Sequence, residues 1–124
     1  MIAHGIDITE VPRIASMLRD HGDAFWTRVY TPAERSYCEA NPARCPEHAA
    51  ARFAAKEAVF KALGTGWAGG VAWTDCEVVH EPSGRPAVVL RGRALEIARA
   101  MGITRWSLSL THTESQAAAS AIAS

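Results

Sequence analysis

The chain has 124 residues, 48% of them apolar, with 13 basic and 13 acidic side chains and a formal charge of zero. That length suits one domain with a real core, the apolar content excludes general disorder, and the charge balance points to neither nucleic acid nor an anionic membrane as partner. No basic leader opens the chain, no run reaches the roughly 18 apolar residues of a membrane span, and Cys38, Cys45 and Cys76 share no metal-ligand spacing. The expectation is a single domain over residues 1–124 in a reducing, cytoplasmic compartment.

Residues 2–8 alternate, with Ile2, His4, Ile6 and Ile8 on one face and Ala3, Gly5 and Asp7 on the other. This is a strand period whose second face is kept small, and Asp7 stands at its end. Thr9 is placed to cap a following helix, with Pro12 in its first turn and Gly22 as its stop. A short helical segment is expected from Asp23 to Tyr30. Thr31-Pro32-Ala33-Glu34 is a capping box with proline at the first helical position, and the helix it starts should end near Ala40, before Asn41-Pro42. A long helix then runs from Pro46 to about Leu63. Its seven alanines (49, 50, 51, 54, 55, 58 and 62) let other backbone approach closely.

That helix carries an acid where apolar residues are expected. With Phe53 at zero and about 100° per residue, Glu57 falls at roughly +40° and Phe60 at roughly −20°. Glu57 therefore sits on the core-facing stripe, where an ionised carboxylate is costly without a cation or several donors. Lys61 projects near the same edge one turn on, and Gly64-Thr65-Gly66 makes a polar, backbone-rich exit. An acid, a lysine and a glycine turn in so short a stretch suggest a site for a metal and a phosphate.

Beyond the exit, Val71 to His80 alternates as a strand, Glu81 to Pro86 is turn chemistry, and Ala87 to Leu90 returns as a second strand. Gly92 to Met101 reads as a helix closed by Gly102. Trp106 to His112 alternates again, Thr113-Glu114-Ser115 turns the chain, and Ala117 to Ala123 forms a last strand of small residues. The fold class is α+β, with a mainly antiparallel sheet packed against a long central helix.

Gly-Ile-Asp-Ile at 5–8 with Arg13-Ile14, Arg-Phe-Ala-Ala-Lys-Glu-Ala at 52–58, Lys-Ala-Leu-Gly-Thr-Gly at 61–66 and Ser-Leu-Thr-His-Thr at 109–113 resemble holo-acyl-carrier-protein synthase. That family is the small, trimeric branch of the 4′-phosphopantetheinyl transferases. The match spans almost the whole chain, and its alanine-lysine-glutamate helix with the Gly-Thr-Gly exit is its most specific part. The resemblance implies transfer of phosphopantetheine from coenzyme A to a serine of acyl carrier protein, releasing adenosine 3′,5′-bisphosphate. It implies that Asp7 and Glu57 bind Mg²⁺, consistent with that ion's preference for carboxylate oxygens, water and substrate phosphates. Asp7, Glu57 and Lys61 are then the catalytic set, with Lys61 at the phosphates.

Arg52, Gly64, Thr65, Gly66, Arg85, Pro86, His112 and Thr113 would border coenzyme A, His112 from across a subunit boundary. Arg13 matches an arginine that meets the acidic helix of the carrier. For the serine proton, Glu57 and a water oriented by the acids both stay open. Lys56 points roughly 100° away from Glu57 and receives no role. The chain departs from the family at Ala3, where glycine is usual, and in its tryptophans at 26, 67, 73 and 106, of which Trp67 follows the glycine exit. Two alternatives stand beside this reading: the same chemistry on a carrier of a specialised pathway, or a coenzyme-A-binding trimeric module without turnover. The complete set Asp7, Glu57 and Lys61 argues against the latter.

Overall fold

A computed structural model describes residues 1–65 and 69–124. The elements follow in the order β1 (Ala3–Glu10), α1 (Val11–His21), α2 (Asp23–Val29), α3 (Pro32–Glu39), α4 (Cys45–Leu63), β2 (Cys76–His80), β3 (Pro86–Leu90), α5 (Gly92–Ala100), β4 (Trp106–His112) and β5 (Gln116–Ala123). Strands β1, β5 and β4 form one antiparallel sheet in that spatial order, and β2 and β3 form a separate hairpin. The expected α+β architecture is present, and α4 is its axis.

The small face of β1 is the one that meets α4. Gly5, Ala121 and Leu108 lie in one row across the sheet and Asp7, Ala119 and Leu110 in the next, and Gly5, Ala119, Ala121 and Leu108 are buried. Small side chains on both partners let strand and helix backbones approach closely, and the rest of the core closes around them with Val59, Phe60, Leu63, Val78 and Ile103. The opposite face of the sheet is left open, with Ile6 and Ile8 exposed at 58% and 64%. A second cluster, including Ile14, Phe25, Trp26, Val29, Tyr30 and Phe53, joins α1, α2 and the first half of α4.

Two local expectations are corrected. Thr9 does not cap α1: it lies inside β1, where its hydroxyl donates to Asp7 Oδ2 at 2.9 Å, and Glu10 occupies the cap position, its side chain accepting from Gln116 Nε2 at 3.0 Å rather than capping the helix. The strand read from Val71 to His80 begins only at Cys76, because Trp73–Asp75 forms a 3₁₀ turn. The Asp75 carboxylate accepts from Ala72 N at 3.1 Å while Asp75 N donates to Ala72 O at 3.0 Å. This local pairing of an aspartate with nearby backbone overrides the alternation. The capping box at Thr31 and Glu34 is present with both of its bonds.

Candidate active site

The site lies where α4 crosses β1, and Gly5 is what permits the crossing. A Cβ at Gly5 would lie 1.8 Å from Ala58 O and 2.9 Å from Ala62 N. Asp7, two residues on and on the same face, meets the last turns of α4. Its Oδ1 accepts from Lys61 Nζ at 3.1 Å, and Lys61 also donates to the Ile6 carbonyl at 2.9 Å. Glu57 lies one turn before Lys61, so the two project on one edge of the helix. Burial, and after it the Asp7 charge, raise the Glu57 carboxyl above the ordinary range, with Lys61 and Arg13 opposing. Structure and sequence agree in bringing Asp7, Glu57 and Lys61 together.

The depth of the acid is corrected. Residues 49–60 of α4 are buried on every side except at Glu57, which is only half-buried. The fully buried charge is its neighbour Lys56, whose ammonium lies 2.8 Å from Glu34 Oε1 with both side chains at 0% exposure. A stripe drawn on one helix face misses this, because α4 is enclosed by helices on one side and sheet on the other.

Arg52 and His112 belong to a different group. Arg52 precedes Glu57 by five residues, a rotation of roughly 140° on an α-helix, and faces another flank. Its Nη1 donates to His48 O at 3.1 Å and its guanidinium lies 3.9 Å from the centre of the Tyr37 ring, while its buried Nε has no hydrogen-bond partner among the described residues. Tyr37 stacks on His80 at 4.7 Å, His48 lies 5.8 Å from His112 edge to face, and His112 Nδ1 is 3.7 Å from Glu47. Burial first, then the Arg52 charge, lower the His48 and His80 pKa values and favour neutral imidazoles. Sequence reasoning missed His48, His80 and Tyr37. Only His48, one turn before Arg52, offered a signal.

The remaining candidates occupy the edges. Gly64 ends α4 at φ 74°, a left-handed position that suits glycine. The Thr65 hydroxyl is buried without a hydrogen-bond partner among the described residues, while Gly66 and Trp67 lie outside them. Arg85 is exposed at the tip of the β2–β3 hairpin, and Pro86 pairs in register with His80. The Thr113 hydroxyl accepts from Ser115 N at 3.2 Å and Gln116 N at 3.1 Å, closing the β4–β5 turn. Arg13 is exposed on α1, its guanidinium 5.5 Å from the Phe53 ring centre, and it borders a groove with Met17, Phe25, Arg28, Phe53 and Trp73.

For a metal, the donor chemistry is informative. Among the described residues no group of three or more His, Cys, Asp or Glu side chains could hold an ion. Asp7 and Glu57 supply a pair of neighbouring hard oxygen donors, whose mutual repulsion contributes to the raised Glu57 pKa. That set fits Mg²⁺, which commonly uses one or two carboxylates and completes its shell with waters and substrate phosphates.

Residues 3–120 match the model of the 4′-phosphopantetheinyl transferase superfamily. The holo-[acyl-carrier-protein] synthase of Koribacter versatilis is 52% identical over 122 residues, covering 98% of this chain and 97% of its own. That of Desulforudis audaxviator is 50% identical over 119 residues, covering 96% and 89%. Among solved structures, the holo-[acyl-carrier-protein] synthase of Neisseria meningitidis superimposes with a TM-score of 0.89 at 33% identity, covering 100% of this chain and 99% of that one. The Helicobacter pylori enzyme in complex with coenzyme A gives 0.84 at 28% identity, with both chains covered completely. With near-complete coverage in both sequence and fold, the chain belongs to the holo-acyl-carrier-protein synthase family of the 4′-phosphopantetheinyl transferase superfamily.

Proposed function

We propose that residues 1–124 act as one transferase domain that moves 4′-phosphopantetheine from coenzyme A to a serine of an apo-acyl carrier protein of fatty-acid synthesis. The serine oxygen bonds to the phosphorus carrying the pantetheine arm. The bond from that phosphorus to the bridging oxygen breaks, adenosine 3′,5′-bisphosphate leaves with that oxygen, and the serine proton departs. The observation that carries the proposal is the meeting of Asp7, Glu57 and Lys61 where α4 crosses β1. Mg²⁺ held by Asp7 and Glu57 would supply positive charge at the pyrophosphate. Lys61, already directed at this point by Asp7 and the Ile6 carbonyl, would offset charge on the leaving bisphosphate.

Gly64, Thr65, Arg85, Pro86, Arg52, His112 and Thr113 are proposed to hold coenzyme A, as are Gly66 by its place in the motif and the relatives' coenzyme A complexes by analogy. The Arg52 Nε and the Thr65 hydroxyl, both without a partner among the described residues, support polar ligand contacts. Arg52 and His112 face a different flank from Glu57, so we assign them to the site of a neighbouring copy in a homotrimer. The open isoleucine face of β1 is surface for such packing. Arg13 and Arg28 on the rim of an apolar groove suit an acidic, partly apolar carrier helix. Free Cys38, Cys45 and Cys76 suit a reducing, cytoplasmic setting.

The test is intact-mass analysis of apo-acyl carrier protein after incubation with this protein, coenzyme A and Mg²⁺, beside samples with EDTA or Glu57→Gln. A phosphopantetheine mass gain is expected. It should be absent with EDTA and reduced at least about 100-fold by the substitution, the upper end of what loss of a metal's outer-shell partner does. Bound coenzyme A without transfer to any of a panel of carrier proteins would overturn the proposal in favour of a binding module.

A further inference from the structure

Lys56 is the largest fully buried side chain among the described residues, and the proposed transfer does not use it. Its ammonium has three N–H donors and three oxygen acceptors: Glu34 Oε1 at 2.8 Å, the Trp73 carbonyl at 3.2 Å and the Cys76 carbonyl. The two carbonyls belong to the first residue of the 3₁₀ turn and to the residue just after it. Glu34 is equally committed, accepting from Thr31 N at 2.8 Å through Oε1 and from Val78 N at 2.8 Å through Oε2. One ion pair therefore ties together the start of α3, the middle of α4, the 3₁₀ turn and the start of β2.

The turn held this way carries Trp73. Its ring lies 4.8 Å from Phe53 and 5.8 Å from Phe60, and Trp73 and Phe53 line the groove beside Arg13. A buried ion pair is weak evidence of stabilisation, since apolar replacement of both partners is often neutral or better. A tripod of directed bonds does give the turn a single placement. We propose that Lys56, with Glu34, is a positioning residue: it fixes Trp73 against Phe53 and so sets the aromatic floor of the carrier-binding groove relative to Glu57. This rests on the transferase reading for its consequence in turnover, and on geometry alone for the placement of Trp73.

The experiment uses the full chain with Glu34→Gln and Lys56→Met combined, which removes both buried charges together, and Lys56→Met alone. Protein labelled with 5-fluorotryptophan is examined by ¹⁹F NMR, the Trp73 resonance being assigned by its loss in Trp73→Phe. In both variants that resonance should shift or broaden while the Trp26 resonance, assigned in the same way, stays put. In turnover, the carrier KM should rise about tenfold, below the ~100-fold that a misplacement of about 1 Å can produce, with the coenzyme A KM unchanged. The increase should largely vanish in a Trp73→Ala background, because Lys56 acts through that ring. An unmoved Trp73 resonance overturns the inference whatever the activity, and so does a carrier KM effect undiminished by Trp73→Ala. Absence of transfer by the wild-type protein to any carrier would count against the transferase reading, while the ¹⁹F spectra still decide the placement.

Discussion

Glu77 shows how a buried carboxylate on this scaffold is kept ionised. Burial by itself would raise its pKa. The Thr31 hydroxyl at 2.5 Å and Arg91 Nη2 at 2.8 Å outweigh burial and leave the carboxyl below the ordinary range. A group depressed in the folded state binds fewer protons there than in the unfolded chain, so its stabilisation is present above the ordinary carboxylate pKa. That stabilisation is lost as pH falls through the depressed value. Glu77→Gln is expected to lower Tm by about 3–6 °C at pH 7, from charge-assisted hydrogen bonds worth ~1.5–3 kcal/mol offset by those the amide retains. The gap between variant and wild type should close at pH values below the depressed pKa. Thermal melts across pH check this, and a gap of equal size at both ends would rule out the ionic contribution. Glu57 and Lys61 were legible in the sequence because helix spacing places them on one edge, and Asp7 because its strand motif matches the family. The Lys56–Glu34 pair was not, since its partners are 22 residues apart in sequence and the acid was already explained as a cap.

The elements explain why Asp7, Glu57 and Lys61 meet at all. The order of strands and helices, the capping box before α3 and the glycine stop of α1 follow from local chemistry, and the sequence shows them directly. The start of β2 does not, because alternation from Val71 onward is indistinguishable from a strand until the Asp75–Ala72 bonds and the pull of Lys56 on Trp73 O are known. Nor does periodicity say which face of β1 is inward. The face with the isoleucines is open, and the small face bears on α4, because close approach of backbones outweighs the burial of a few larger side chains. Gly5→Ala tests this. The added methyl would meet Ala58 O and Ala62 N, both backbone atoms of a packed helix, and neither can yield as a side-chain tip would. Overpacking of this kind costs about 1–3 kcal/mol, so Tm should fall by about 4–12 °C. Asp7 would be carried away from Lys61, and transfer should fall by at least about tenfold. An unchanged Tm together with unchanged transfer would mean that β1 does not seat on α4 as described.

At the scale of the whole molecule, one chain presents its candidate site residues in two separate groups. Asp7, Glu57 and Lys61 lie together where α4 crosses β1, whereas Arg52 and His112 lie with Tyr37, His48 and His80 on another flank. Motif matching brings all of them to attention at once but says nothing about which chain supplies which residue, and helix rotation separates them. If the functional site is composite, the two halves come from adjacent copies, and the two kinds of defect should complement each other. Glu57→Gln and His112→Ala chains, each nearly inactive alone, are mixed in equal amounts, unfolded and refolded together. Random assortment gives a site with an intact Glu57 from one copy and an intact His112 from its neighbour in about one case in four. Transfer to the carrier should therefore recover to about a quarter of the wild-type level, in a species that light scattering identifies as a trimer. A fully active monomer, or a mixture no more active than its components, would show that each chain holds a complete site. Arg52 and His112 would then have to act from within the chain that supplies Glu57.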